Sequence, residues 1–76
     1  MNIGDKIYCL QNEMVGEIMI ISPIIGGNKY DIKIQDKRIK KFFIIKIIEK
    51  DFLSMEQCAD MFANKELEQL VLNYKK

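Results

Sequence analysis

Histidine, threonine and tryptophan are absent from these 76 residues, and arginine occurs once, as Arg38. Without histidine, the side chain that most often moves a proton near neutral pH is missing. The nucleophile candidates are Cys9, Cys58, Ser22 and Ser54, and none has a base at a recognisable spacing. Two cysteines fall short of the roughly four Cys or His ligands of a structural zinc site. The acidic residues lack the spacing of a calcium loop. Gly26-Gly27 lies between strand patterns rather than ahead of a helix, which argues against a phosphate-cradling loop. The expectation is a chain that is no enzyme and takes no cofactor or metal.

Charge of one sign is lacking as well. The net charge is +1, so no overall field draws the chain to nucleic acid or to an acidic membrane. A single arginine also disfavours base reading. No apolar run has the length of a bilayer span, and Met1–Lys6 has no signal-peptide core. The expectation is a cytoplasmic protein with no membrane contact and both cysteines reduced. The length suits one domain with a modest core. Small size and a bias to isoleucine and lysine fit a phage or mobile-element origin.

What is present is mostly strand pattern. Lys6–Leu10 alternates, with Ile7 and Cys9 on one side. Val15–Ser22 is the central strand: Ile18 and Ile20 share one face, Glu17, Met19 and Ile21 the other. Both faces are apolar near Met19 and Ile21, so the strand is expected to bend there. Pro23 is expected to end it, since proline donates nothing to a ladder. Gly26-Gly27-Asn28 suits the following reversal. Lys29–Gln35 alternates cleanly, with Tyr30, Ile32 and Ile34 on one face. Arg38–Phe43 and Ile44–Lys50 read as two further strands divided by a kink near Phe42, where the alternation slips.

After residue 51 the period changes. Ser54 and Gln57 form a capping box. Met55, Cys58, Ala59 and Phe62 fall on one helical face; Leu67, Leu70, Val71 and Tyr74 fall on another. The five-residue step from Phe62 to Leu67 breaks the stripe, and Asn64 sits in the gap. This predicts one kinked helix or two short ones. The fold class is therefore α+β: a five-stranded antiparallel barrel over residues 1–51, and a helical appendage over 52–76 packed on it within a single domain.

Three surfaces are candidates for binding. A protein-contact surface would use Met19, Ile21, Phe42, Phe43 and Leu72, because Phe42-Phe43-Ile44-Ile45 cannot turn every side chain inward. A nucleic-acid surface would use Lys33, Arg38, Lys40, Lys41 and Lys46, with lysines on phosphate and a ring for stacking; the competing role for those lysines is to guard an edge strand. A third reading is an oligomer that sequesters a small ligand between copies. The C-terminal stripe is expected to lie on the barrel, leaving Leu72 outside.

Gly4-Asp5, Ile7, Gly16, Ile18, Ile20 and the Tyr30/Ile32/Ile34 strand resemble SH3-like small barrels of the KOW and Tudor-like sort, over residues 3–50. The resemblance implies the barrel. KOW-type barrels bind RNA largely through a glycine- and lysine-rich loop before the second strand. The residues here are Gln11-Asn12-Glu13-Met14, so that function is not implied with the fold. The reading preferred from the sequence is a protein-binding regulator or inhibitor, with homodimer formation as a further possibility. The nucleic-acid barrel is the alternative.

Overall fold

A computed structural model describes all residues, 1–76. Five strands form one antiparallel sheet: β1 Lys6–Cys9, β2 Met14–Ile24, β3 Gly27–Asp36, β4 Lys41–Ile48 and β5 Phe52–Ser54. Two helices follow, α1 Met55–Ala63 and α2 Leu67–Tyr74. The strand order is β4-β3-β2-β1-β5. The fold class is α+β, as the change of period at residue 51 implies.

The inner face follows from the alternation. Ile7 and Cys9, Ile18, Tyr30, Ile32 and Ile34, and Phe52 form the buried cluster, with Met14, Ile21, Phe43, Ile45 and Ile47 packed against it. Tyr30 and Phe52 meet edge to face, with ring centroids 5.1 Å apart. Their strands are three steps apart in the sheet, about 14 Å if it were flat. Contact at that distance requires the sheet to curl. Gly16 marks the tightest approach: a Cβ there would lie 2.4 Å from Ile32 Cγ2, so β2 and β3 pack as they do only with glycine at this position.

Three expectations about the strands are corrected. First, Pro23 does not end β2, which runs on to Ile24 with Pro23 opposite Asn28. β1 pairs β2 only over Met14–Glu17. Beyond that, the far side of β2 has no strand to receive a donor, and a proline is tolerated as on any edge. Second, Ile18 and Ile20 do not share a face. The β2–β3 register shifts between them, so Met19 is the extra residue of a bulge, Ile20 turns outward and Ile21 turns in. The segment before β1 braces this point, since Gly4 N–H donates to Ile18 O and Ile18 N–H donates to Asp5 O. Third, residues 38–50 are not two strands with a kink near Phe42. Arg38 and Lys40 lie in a turn, with Lys40 at φ +54°, and β4 runs from Lys41 to Ile48 in unbroken register with β3.

The fifth strand is Phe52–Ser54, on the helical side of the boundary expected after residue 51. It pairs with β1 and leads directly into α1. A 3-10 turn, Glu49–Asp51, precedes it. Asp51 ties three segments together. One carboxylate oxygen accepts from Ile48 N–H at 3.1 Å, the other from Tyr74 Oη at 2.8 Å, and its carbonyl accepts from Leu10 N–H at 3.1 Å.

The helices are two and short. Ser54 Oγ accepts from Gln57 N–H at 3.1 Å, and Gln57 Oε1 accepts from Ser54 N–H at 3.1 Å, which starts α1 as the sequence pattern implied. Asn64 closes α1 but does not cap α2, whose first turn begins at Glu66 without a side-chain cap. Val71 is buried, and Leu67, Leu70 and Tyr74 are half-buried, so the second stripe does lie on the rest of the chain. The first stripe does so in part only: Cys58 is half-buried, whereas Met55 and Phe62 are exposed. No helix is long and apolar enough to cross a membrane.

Candidate protein-binding face

The outer face of β2, β3 and β4 carries the side chains that the core leaves out. The pairings set them in rows across the sheet. Lys6, Glu17, Lys33 and Ile44 form one row, Ile20, Asp31 and Lys46 the next, and Ser22, Lys29 and Ile48 a third. Phe42 stands opposite Gln35 at one end. Val15 (47%), Ile20 (51%), Phe42 (57%) and Ile44 (52%) keep about half of their surface in water. Single exposed apolar residues are ordinary, but four on one open sheet face are a candidate contact surface.

Most charges on this face are matched; Lys29 is not. Lys6 Nζ lies 3.1 Å from Glu17, and Lys46 Nζ lies 3.7 Å from Asp31. Lys33 places its ammonium 4.1 Å from the centre of the Phe42 ring. That contact covers one side of the ring, and the attraction is about 0.5–1 kcal/mol at an exposed site. The lysines expected to act together are separated. Lys33 and Lys46 are on the outer face, each with a partner. Lys41 belongs to the opposite side of β4, in step with Phe43, Ile45 and Ile47. Arg38 and Lys40 are in the turn before β4, where Arg38 lies 3.5 Å from Asp36. They form no continuous basic stripe.

The apolar contact residues expected from the sequence are also divided. Phe42 is on the outer face and Met19 projects at the bulge, 37% exposed. Ile21 and Phe43 pack against the core. Leu72 is exposed on α2, where it shares a cleft with Tyr8, Phe62, Leu67 and Val71. Val15, Ile20 and Ile44 complete the exposed apolar set, and the sequence pattern does not single them out. Ile20 is hidden from a reading of alternation by the bulge. Ile44 follows from parity once Phe43 is known to face inward, but Phe42-Phe43-Ile44-Ile45 is apolar at every position and offers no phase.

The two thiols are poor nucleophiles. Burial pushes the Cys9 thiol up to about 11 and also raises that of Cys58, which disfavours thiolate. Two of the three tyrosine hydroxyls are committed elsewhere. Tyr30 Oη donates to Glu49 at 2.8 Å, and that bond, followed by burial, raises its pKa. Tyr74 is raised first by its bond to Asp51, then by burial. Tyr8 is raised chiefly by burial, with Glu13 adding to it. The largest cavity, about 610 Å³, lies away from the outer face, between Tyr30, Glu49, Phe52 and Leu70. No buried side-chain polar atom in the molecule lacks a partner, so no buried group is left waiting for a ligand. No group of three or more His, Cys, Asp or Glu is placed to hold a metal.

Compared with protein-family models, with curated proteins and with solved structures, the chain matches none of them.

Proposed function

We propose that the chain is a non-enzymatic binding module that grips another protein on the outer face of β2–β4 and acts as a small regulator or inhibitor. The observation that carries this is the exposure of Val15, Ile20, Phe42 and Ile44 together on one side of a braced sheet. On this face the apolar side chains of β2 and β4 flank a polar middle row on β3, Lys29, Asp31, Lys33 and Gln35, so a partner would meet apolar and charged groups side by side. Most of its charges, Lys29 excepted, have a partner, so association there depends mainly on burial and shape. In this reading the scaffold is an SH3-like barrel. The central place of β1 between β2 and β5, and the curl that brings Tyr30 onto Phe52, support that assignment.

The nucleic-acid reading is weaker, because Lys33, Arg38, Lys40, Lys41 and Lys46 are spread over two faces and a turn, among Asp31 and Asp36. The test is capture from the source cell with the wild-type chain and with Phe42→Ser, at low and high salt. A protein held by wild type, lost with Phe42→Ser and kept at high salt supports the proposal. Recovery of nucleic acid that falls away steeply with salt would overturn it.

A further inference from the structure

β4 ends the sheet, so one of its sides meets no strand. In an antiparallel ladder every second residue of an edge strand turns its N–H and C=O outward. Here that continues over eight residues, Lys41–Ile48. Edge strands are normally blunted by a proline, a bulge, a cover or unpaired charge. β4 has no proline, its register with β3 is continuous, and the helices contact β1, β5 and each other. Lys46, the one charge near its middle, lies on the outer face 3.7 Å from Asp31, so its charge there is partly offset.

We infer that β4 pairs edge to edge, antiparallel, with β4 of a second copy of this chain, about a two-fold axis through Ile44. The occupant is argued from self-complementarity. A two-fold axis perpendicular to the sheet keeps outer face against outer face only when it passes through a residue position. Centred on Ile44, that residue meets its own counterpart, Phe42 meets Lys46, Phe43 meets Ile45 and Lys41 meets Ile47. No like charges are opposed. The Phe42–Lys46 contact repeats between copies the ammonium-on-ring contact that Lys33 makes with Phe42 inside one. An axis at Phe43 would instead set Lys40 against Lys46. An axis at Ile45 would set Lys46 against Ile44, with no ring opposite its ammonium. A net charge of +1 leaves little repulsion between copies. The pairing joins two five-stranded sheets and sets their outer faces side by side, with Phe42 and Ile44 at the seam and Val15 and Ile20 away from it, so it goes beyond the binding reading.

The test uses Ile44→Cys in a Cys58→Ser chain. Opposed residues at such an axis have Cα atoms about 4.5–5.5 Å apart, within disulfide reach. Mild oxidation should give a covalent dimer. Ile20→Cys in the same background, on the same face and equally exposed, should stay monomeric. Sedimentation equilibrium of the wild type should show reversible dimers, and Ile44→Lys, which opposes two lysines, should weaken them at least tenfold. Wild type that stays monomeric at every concentration, or equal cross-linking at positions 20 and 44, overturns the pairing. Protection of the β4 amides by a different protein, with no dimer, overturns it too. A monomer that still loses its partner on Phe42→Ser sinks only the edge pairing; a dimer whose outer face holds no partner sinks only the binding reading.

Discussion

The outward side of the sheet is handled differently at its two ends. Over β1 and β5, α1 packs on the strands, and Tyr8 and Leu53 are half-buried. Over β2, β3 and β4 nothing lies on the face, and Val15, Ile20, Phe42 and Ile44 stay about half exposed. The chain therefore has helical cover and applies it to one end only. Asp51, which bonds Tyr74 on one side and closes the 3-10 turn on the other, helps fix where that cover sits. The other end is left bare by the same scaffold, with its apolar side chains on β2 and β4 in water. Phe62 and Leu72 are exposed on the helices as well, but they line a cleft rather than a broad face.

The contrast can be broken most forcefully from inside the sheet. Ile32 is fully buried on β3, on the face opposite to Ile44. Ile32→Ala should cost about 2–5 kcal/mol of stability by chemical denaturation. Ile44→Ala should leave the midpoint within about 1 kcal/mol of wild type. Equal losses would mean that the outer face is part of the core.

Alkaline pH tests the covered core through Cys9. Its folded pKa is raised from 9.0 to about 11, so folding favours the protonated thiol. The corresponding stability is fully present below pH 9 and is lost as pH rises toward 11. The size is on the order of 2–3 kcal/mol. Denaturation midpoints of wild type should fall across that window, and those of Cys9→Ala should fall less. Tyr8, Tyr30 and Tyr74, also raised, add a loss of the same sign at higher pH.

How much of this contrast is legible in the chain differs by segment. Alternation alone identifies Ile7, Cys9, Ile18, Tyr30, Ile32 and Ile34 as inner residues, because a polar residue stands between most of them. The Ser54–Gln57 box marks the start of α1 for an equally local reason. The rest depends on non-local facts. The bulge at Met19 inverts the phase of β2, and it is braced by Gly4 and Asp5 from a distant part of the chain. Pro23 is acceptable only because β1 is short. Phe52–Ser54 is too brief to show a period, and its partner is β1. The bare face inherits these errors. Phe42 was recognisable from crowding, but Ile20 and Ile44 required the bulge and the inward turn of Phe43.

Smaller effects sharpen the contrast. Tyr74→Phe removes the bond to Asp51 and should cost about 1 kcal/mol, with increased amide exchange confined to α2. Protection lost throughout the sheet would show that the helical cover and the sheet are one cooperative unit. Smallest of all, Lys33→Gln with Lys46→Gln should change stability by less than about 0.5 kcal/mol, since exposed ion pairs contribute little. The pair should also leave protein capture intact. Loss of capture would shift the account toward the lysines.

The most direct measurement is a calorimetric titration of the captured partner with wild-type chain and with Ile44→Ser, each at low and high salt. The account predicts that Ile44→Ser binds at least tenfold more weakly and that wild-type affinity changes little with salt. Unaltered affinity in the variant, or affinity that collapses with salt in the wild type, would contradict it.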